Sequence, residues 1–293
     1  MPARPCHFID TEDAFCRLLG PLEREPAIAV DTESNSFHAY FEKVCLIQLS
    51  TEEADYAVDP LRVDVRPLGK LLADPAVEVV FHAADFDIRG LKRDYGMKFT
   101  RLFDTMLAAK LLGYPKMSLA VLVRRHFGMT LEKEHQRSDW GQRPLSAAQL
   151  EYAYKDTRYL LALRNVLRAE LERAGRVAEA ERIFKRQASC EPRKKRFDKE
   201  GFRRLRGFAA LDRAQRELAR ALYLLREERA RSVDRPPFKV FGDEAIIELA
   251  RLRPRSEDEL LQVRGIGART VQRHGQAILR ALGKSPAAQG AAA

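Results

Sequence analysis

Three short acidic motifs stand far apart in the chain. Asp31 and Glu33 end an apolar run, Asp87 opens an amphipathic stretch, and Asp156 lies four residues after Tyr152. If the motifs meet at the end of one parallel sheet, four carboxylates share a cleft and repel each other unless cations neutralise them. A pair of divalent metal ions neutralises such a cleft and is also an apparatus for cutting phosphodiester bonds. We therefore expect a two-metal phosphodiester site.

The first motif places two carboxylates on one face of a strand. Side chains of a strand alternate with a period of two, so Asp31 and Glu33 point to the same side and can hold one cation together. Asp31 can also bridge to a second cation. On its own, this motif is equally typical of a strand end with solvated acids.

The other two motifs lie on predicted helices. We assign Asp87 to the metal, whereas Asp85 is suited to cap the helix or to face solvent. Tyr152 and Asp156 are four residues apart and therefore share one helix face. We expect Asp156 to bind a metal ion and Tyr152 to orient an attacking water. Alone, this last pair is also typical of an amphipathic helix with a buried tyrosine.

A mixed sheet covered by helices would bring these motifs together. Ser146 and Gln149 match a capping box, which predicts the start of the helix that carries Tyr152 and Asp156 and runs to about residue 172. Composition and apolar spacing predict the other elements. The predicted strands are 27–30, 44–49, 55–58 and 77–81, and the predicted helices are 68–73, 86–95, 104–112 and 119–127.

The length, net charge and apolar content of the chain indicate which kinds of partner are expected. The 293 residues suffice for two domains, and a formal net charge of +10 favours a polyanionic partner. No apolar run approaches the length of a membrane span, and no apolar signal segment follows the first residues, so we expect a cytoplasmic protein without a membrane partner. The four cysteines have neither zinc-site nor disulfide spacing, so oxygen-bound cations are expected rather than zinc.

A basic segment divides the chain into two predicted domains. Residues 182–206 hold eleven Lys or Arg and three acidic residues. We interpret 181–206 as a basic linker between a first domain, 1–180, and a helical domain, 207–284, although a solvated linker without a partner has the same pattern. Residues 285–293, rich in Ala, Gly and Gln, are predicted to be a disordered tail.

The motifs of the first domain, taken together, resemble a known family. They are similar to the 3′–5′ exonuclease domain of the DEDD superfamily, in its tyrosine-containing subclass. The resemblance implies an α/β ribonuclease H-like fold. It also implies catalysis by Asp31, Glu33, Asp87, Tyr152 and Asp156, with the four acids binding two Mg²⁺ or Mn²⁺ ions and nucleoside 5′-monophosphates released from the 3′ end. The matching stretches are 29–33, 46–49, 58–60, 81–83, 104–105 and 151–156.

The helical domain resembles the helicase-and-RNase-D C-terminal (HRDC) domain, an auxiliary nucleic-acid-binding module. The matching residues are Pro254, Ser256, 259–261, 265–267 and 274–279. The whole chain is similar to the bacterial ribonuclease D family. This similarity implies an exoribonuclease acting on RNA with a single-stranded 3′ end, in particular tRNA precursors, with no obligate protein partner. Some members carry two HRDC domains, whereas this chain has length for one.

Substrate contacts are expected from aromatic and basic residues near the motifs. Phe37, Phe86 and Trp140 are candidates for stacking on the bases of a single strand. Arg137 is a candidate for contacting phosphates.

Three other functions compete with RNA trimming. Related proofreading domains share the metal ligands, so a DNA-directed 3′–5′ exonuclease has the same motifs, and the resemblance over both domains is what favours RNA. A non-catalytic nucleic-acid-binding protein would lack one of the acids or the tyrosine, and all are present. A dinucleotide-binding enzyme would need a glycine-rich turn after its first strand. Asp31–Asn35 stands there instead.

Overall fold

The computed structural model describes residues 4–132, 134–192 and 197–283. They form two compact units. The first contains the described residues up to 35 and from 43 to 192, and we call it the exonuclease unit. The second contains residues 36–42 and the described residues from 197 onward, and we call it the helical unit. The predicted tail, 285–293, lies outside the described residues.

A six-stranded mixed sheet forms the centre of the exonuclease unit, which confirms the predicted fold class. In strand order β1-β4-β3-β2-β5-β6, β2 pairs antiparallel with β3 and parallel with β5. β2 and β5 therefore end at the same edge of the sheet. The strands are β1 Cys6–Ile9, β2 Ala27–Ser34, β3 Val44–Ser50, β4 Asp55–Val58, β5 Glu78–Phe81 and β6 Leu102–Asp104.

Within the described residues of the exonuclease unit, eight helices accompany this sheet. Two predicted helices, 68–73 and 119–127, have the observed bounds, and the predicted capping box of Ser146 and Gln149 is present. The predicted long helix to residue 172 is two helices, because the backbone is interrupted at Tyr159. The helices are α1 Glu12–Leu22, α2 Leu68–Ala73, α3 Asp85–Tyr95, α4 Thr105–Leu111, α5 Leu119–Phe127, α6 Ala147–Arg158, α7 Leu160–Arg173 and α8 Val177–Ala188.

The end of the exonuclease unit lies further along the chain than residue 180. α8 occupies the first part of the predicted linker, and its Ala180, Phe184 and Ala188 belong to the unit's hydrophobic core. These apolar residues recur every four positions, which is the spacing of one helix face. The many basic side chains between them are on the other faces and hide this pattern in a simple charge count. Arg193 and the three residues that follow it lie outside the described residues.

The helical unit has its own core, as the sequence predicts. Buried leucines and isoleucines of α9, α11 and α13 form it, including Leu222, Ile246 and Ile278. No helix in the described ranges is long and apolar enough to cross a membrane. The helices are α9 Arg213–Ser232, α10 Pro237–Val240, α11 Asp243–Leu252, α12 Glu257–Leu261 and α13 Ala268–Gly283, and 3₁₀ turns occupy Gly201–Arg204 and Phe208–Ala210.

Candidate active site

All five residues of the acidic motifs line one cavity of the exonuclease unit, with a volume of about 430 Å³. Three separate elements supply them, and we call this space the acidic cavity. β2 contributes Asp31 and Glu33, α3 contributes Asp87, and α6 contributes Tyr152 and Asp156. The structure thus brings together residues that are more than a hundred positions apart in the sequence.

Thr32 ties β2 to α3 inside this cavity. Its backbone N–H donates to Asp87 Oδ1 at 3.1 Å, and its hydroxyl donates to the same oxygen at 2.6 Å. Asp87 is 5% exposed, so these bonds form where water competes little. They hold one oxygen of Asp87 against Thr32, the residue between Asp31 and Glu33, and leave the other oxygen available to a ligand.

Asp104 holds the turn from which α3 starts. Its carboxylate accepts four backbone N–H bonds, from Ala83 at 3.1 Å, Ala84 at 2.9 Å, Met106 at 2.9 Å and Leu107 at 3.0 Å. Ala83 has φ of 63°, a left-handed conformation that costs free energy for a residue with a Cβ. Burial raises the pKa of Asp104, and the four N–H groups oppose that rise.

The sequence left two roles open for Asp85, to cap α3 or to face solvent. The α3 N-cap position belongs to Ala84, and Asp85 faces solvent. The Asp85 carboxylate is exposed and pairs with Arg89 at 2.9 Å, one turn along the helix. Asp104 does the capping instead, for α4, and holds the α3 turn at the same time. No local sequence pattern predicts this, because β6 is distant from α3 in the chain.

Buried polar contacts fix the rotation of α6 about its axis. Thr157, next to Asp156, shares a hydrogen bond of 2.7 Å with Ser50 of β3. The Ser50 hydroxyl donates to Asp55 at 2.7 Å, and Arg158 Nε donates to the other oxygen of Asp55 at 2.6 Å. Because Thr157 and Arg158 face the sheet, the preceding Asp156 is directed to the cavity.

A second buried ion pair holds the segment that leads into α6. Arg143 donates two hydrogen bonds to the carboxylate of Asp59, at 2.6 and 2.7 Å, and a third to the carbonyl oxygen of Cys45 at 2.7 Å. The Asp59 side chain is fully buried. The guanidinium therefore joins β3 and the end of β4 to the residues that precede the Ser146 cap.

Burial and mutual repulsion raise the pKa values of the four carboxyl groups. For Asp31 and Glu33 burial is the largest cause and the neighbouring carboxylates add to it, so both pKa values lie well above the ordinary range. Burial raises the pKa of Asp87 to about 6, against the opposing hydrogen bonds of Thr32. Burial likewise raises the pKa of Asp156 to about 7, and its hydrogen bond with Tyr152 opposes this rise.

Tyr152 stays a neutral phenol in this setting. Burial raises its pKa, and Asp156, Glu33 and Asp31 raise it further. Its hydroxyl is hydrogen-bonded to Asp156, and its ring packs beside Trp140, with centroids 6.0 Å apart, and beside His135 at 6.1 Å. A protonated phenol next to the carboxylates can orient a water by hydrogen bonding but cannot act as a base at neutral pH.

The four carboxylates fit divalent cations by the chemistry of their donors. They are hard oxygen ligands, and no lysine or arginine is among the residues that line the cavity. Across the described residues, no three Asp, Glu, His or Cys side chains already surround a common point as in a preformed metal site.

The four predicted substrate residues differ in their exposure and in whether they line the acidic cavity. Phe86 lines the acidic cavity and is 49% exposed, so its ring is available to a base. Trp140 is 1% exposed and packs on Tyr152, so it supports the tyrosine and presents no free face for stacking. Phe37 belongs to the segment grouped with the helical unit. Arg137 is exposed and follows Gln136, which lines the cavity.

His82 is a cavity residue to which sequence reasoning gave no role. Its Nδ1 shares a hydrogen bond of 2.8 Å with the hydroxyl of Thr105, and that hydroxyl is 3.1 Å from the carbonyl oxygen of Phe81. Burial lowers the pKa of His82 to about 4, so the ring is neutral at physiological pH. The signal was present, because His82 and Thr105 both lie in stretches that match the exonuclease family.

Comparison with protein families agrees with the two units. The model of the 3′–5′ exonuclease family matches residues 6–172, and the model of the HRDC domain matches residues 215–282. Ribonuclease D of Acidiphilium cryptum is 36% identical over 267 residues, which are 89% of this chain and 67% of that relative. An exosome complex component 10 homolog of Caenorhabditis elegans is 40% identical over 169 residues. The match covers 57% of this chain and only 19% of that longer relative.

Solved structures show the same relationship. The catalytic core of RRP6 from Trypanosoma brucei has a TM-score of 0.88 at 28% identity, covering 96% of this chain and 81% of that one. RNase D of Escherichia coli has a TM-score of 0.70 at 30% identity, covering 99% of this chain and 76% of that one. Brucella melitensis NrnC with bound Mg²⁺ has a TM-score of 0.54 at 28% identity, covering 64% of this chain and 91% of that one.

Proposed function

The chain belongs to the ribonuclease D family of 3′–5′ exoribonucleases, and from this we propose that it hydrolyses RNA from the 3′ end and releases nucleoside 5′-monophosphates. One observation carries the proposal most directly. Asp31, Glu33, Asp87 and Asp156 line the same cavity as Tyr152, although they come from three distant segments. A cavity of this composition is suited to a phosphodiester and the cations that accompany it.

We assign the four carboxylates to the binding of two divalent ions, Mg²⁺ or Mn²⁺. The donor chemistry supports this assignment, and one relative in structure is described with bound Mg²⁺. Such ions, when bound, activate a water and neutralise charge on the leaving 3′ oxygen. The raised pKa values of Asp87 and Asp156 mean that these carboxyl groups must lose protons before they can act as ligands.

Tyr152 is assigned to positioning the attacking water at the scissile phosphate. Its hydroxyl proton is donated to Asp156, so its oxygen can accept one hydrogen bond from a water beside that carboxylate. Trp140 and His135 hold the ring in place from two sides. Because the phenol stays protonated, Tyr152 orients the water, and the proton of the water leaves by another route.

The substrate is a single-stranded 3′ end, and tRNA precursors are the proposed physiological RNA. The exposed ring of Phe86 lies at the acidic cavity, where it can stack on a base near the 3′ end. The similarity to ribonuclease D over most of the chain supports RNA as the substrate. Matched RNA and DNA oligonucleotides of one sequence test this choice, and faster trimming of the DNA would favour the DNA-directed alternative.

The decisive experiment replaces Asp156 by Asn and follows the trimming of a 3′-labelled RNA with Mg²⁺. We expect activity to fall by about a thousandfold, because one oxygen ligand with its charge is lost at the reacting phosphate. Asp85→Asn is the matched control, since Asp85 is an exposed carboxylate of α3 that pairs with Arg89 and does not line the cavity. Undiminished trimming by the Asp156 variant would refute the assignment.

A further inference from the structure

A second charged cavity lies within the helical unit, far in sequence from the acidic motifs. Its volume is about 360 Å³, and four cationic side chains line it together with a histidine and two valines. We call it the basic cavity. The last turn of α9, the turn into α10 and the middle of α13 contribute Arg229, Arg235, Lys239, Arg273 and His274.

Positive charge in this cavity is not neutralised by the protein. No carboxylate is among its lining residues, and within the described ranges no ion pair engages Arg229, Arg235, Lys239 or Arg273. Lys239 Nζ lies 3.1 Å from a ring nitrogen, the Nδ1 atom of His38, and not beside a carboxylate oxygen. Other arginines of the helical unit do have carboxylate partners.

Arginines elsewhere in the helical unit are paired with carboxylates, unlike those of the basic cavity. Arg226 pairs with Asp243 at 2.7 Å, and Arg251 pairs with Glu248 at 3.1 Å. Like charges that converge without a counter-charge destabilise the folded state, so such an arrangement persists where an anion supplies the missing partner. The cavity walls therefore favour a negatively charged ligand.

Two buried polar atoms on the cavity wall point to the same conclusion. His274 is 8% exposed, and in the described structure its Nδ1 has no hydrogen-bond partner, nor has Nε of Arg229. Buried polar groups are nearly always paired, because an unpaired one costs free energy. Burial, Arg229 and Arg273 lower the pKa of His274, and its unpartnered ring nitrogen is within the wall of the cavity.

Exposed aromatic side chains lie next to the residues of the basic cavity. Phe238 precedes Lys239 in the chain and is 58% exposed. Phe41 is 54% exposed, and its backbone N–H donates to Asp234, the residue between Val233 and Arg235, at 2.9 Å. Cationic side chains that hold a phosphate beside aromatic rings that stack on bases are the combination by which proteins grip single strands.

We propose that the basic cavity binds a backbone phosphodiester of single-stranded RNA, with Phe238 stacking on an adjacent base. The inference rests on the proposed function, because it takes RNA as the ligand. It adds a defined site to a unit that the family match describes only as an HRDC domain. An internal phosphodiester suits the site because two exposed aromatic residues, Phe238 and Phe41, adjoin cavity residues in the chain or by a hydrogen bond to Asp234, and each can carry a neighbouring base.

Binding of a fluorescein-labelled oligouridylate to the full chain in EDTA tests the site. We expect the double variant Arg235→Gln, Arg273→Gln to bind about tenfold more weakly at low salt, because charge-assisted hydrogen bonds to the phosphate are lost. The slope of log affinity against log salt should fall by about one for each lost phosphate contact. Both arginines are exposed, so the substitutions should leave the melting temperature unchanged.

The matched control removes the same charge elsewhere in the unit. Arg269→Gln with Arg280→Gln changes two exposed arginines on α13, the helix of Arg273, at positions that do not line the cavity. We expect less than about a twofold loss of affinity, because distant surface charges are screened by salt. Equal weakening in both double variants, or no weakening in either, would overturn the proposal.

NMR spectra of the His274 imidazole give a readout that needs no variant of the cavity. An oligonucleotide with hydroxyl groups at both ends should move the His274 resonances, whereas inorganic phosphate and uridine 5′-monophosphate at equal concentration should not. A shift with inorganic phosphate alone would reassign the cavity to free phosphate and overturn the RNA site. A shift only with a 5′-phosphorylated oligonucleotide would reassign it to strand ends and overturn the internal phosphodiester.

These tests separate the basic cavity from the proposed exonuclease activity. If the arginine variants bind RNA normally while Mg²⁺-dependent trimming depends on Asp156, the RNA site in the helical unit is wrong and the exonuclease stands. If the wild-type chain trims no RNA but its His274 resonances respond to the oligonucleotide, the exonuclease proposal fails and the binding site stands.

Discussion

Buried carboxylates occur in two contrasting settings within the exonuclease unit. Asp55 and Asp59, behind the acidic cavity, have fully buried side chains, and each accepts hydrogen bonds from an arginine at 2.6 Å. The carboxylates that line the cavity have no arginine or lysine beside them there. The first group is neutralised by arginine, and removing the arginine would leave a buried charge without its partner. The second group has no such partner in the protein, and we propose that divalent cations supply it.

The basic cavity of the helical unit repeats this contrast with the opposite sign. Arg226 and Arg251 have carboxylate partners, whereas the arginines of the basic cavity have none in the described structure. Charge left without a partner therefore separates the proposed ligand sites from the structural ion pairs in both units. Each prediction below alters one side of this comparison.

Asp31→Asn should have the largest effect and should move activity and stability in opposite directions. Activity should fall by about a thousandfold, because a proposed metal ligand is lost. The melting temperature of the metal-free chain should rise by about 2–4 °C, because the substitution removes a buried carboxyl group whose ionisation is opposed by burial and by its neighbours. Trimming of labelled RNA and thermal unfolding in EDTA measure the two effects.

The control for Asp31 is Asp85→Asn, which removes an exposed carboxylate of α3. It should leave both measurements unchanged. A fall in the melting temperature of the Asp31 variant would show that its carboxylate stabilises the fold, and the contrast between the two groups of carboxylates would then be wrong.

Arg143→Gln tests the buried carboxylates that arginine neutralises. Removing the guanidinium leaves the buried carboxylate of Asp59 without its counter-charge, and breaking a buried pair in this way costs about 3–5 kcal/mol. Urea unfolding should show this loss with an unchanged m-value. Arg66→Gln is the control, because its pair with Asp64 is exposed, and its unfolding curve should match that of the wild type. Similar curves for both variants would refute the role assigned to Arg143.

Asp104→Asn should produce a smaller effect that is specific to the metal site. The two carboxylate oxygens of Asp104 accept from four backbone N–H groups. An asparagine amide at this position would offer only one acceptor oxygen to the same four groups. The turn that places Asp87 should loosen, so kcat should fall by about 10–100-fold and the Mg²⁺ concentration needed for half-maximal rate should rise.

The Mg²⁺ requirement distinguishes positioning by Asp104 from general destabilisation. Asp64→Asn removes an exposed carboxylate that also accepts a backbone N–H, from Arg66 at 3.1 Å, and it should change neither kcat nor the Mg²⁺ requirement. If Asp104→Asn lowers the melting temperature while the Mg²⁺ titration stays that of the wild type, Asp104 has only a structural role.

Much of the fold could be predicted because its signals are local. Periodicity and turn residues gave α2 and α5 with their observed bounds, and the capping box of Ser146 and Gln149 predicted the start of α6. β1 and β6 were not predicted, because β1 is mostly exposed and so has no buried apolar run, and the three residues of β6 are too few to show a period. The grouping of the acids could be predicted from spacing along alternating strands and helices, and the resemblance made it specific.

What could not be predicted depends on contacts between distant segments. Trp140 was expected to stack on substrate, but packing against Tyr152 buries it. The role of Asp104 depends on backbone groups about twenty positions away. The basic cavity joins residues of three helices whose charges, read along the chain, resemble any solvated surface. Neither burial nor missing counter-charge is visible in a sequence.

The pH dependence of the metal-free chain should give the smallest effect. The pKa values of Asp87, about 6, and Asp156, about 7, lie above the ordinary value of 3.8. The folded chain therefore holds protons that the unfolded chain releases. Their stabilising contribution is complete below about pH 4 and is lost as the pH rises through 7. Mg²⁺ binds the deprotonated carboxylates, so it should restore stability at high pH only.

Thermal unfolding with EDTA and with saturating Mg²⁺, from pH 4 to pH 8, measures this linkage. The two melting temperatures should agree near pH 4 and separate by several degrees above pH 7, because 1 kcal/mol corresponds to about 2–4 °C in a protein of moderate size. In Asp156→Asn the separation should shrink, since one titrating ligand is gone. A separation that is constant with pH would mean that the carboxyl groups of the acidic cavity are already ionised without metal, and their contrast with the paired carboxylates behind them would disappear.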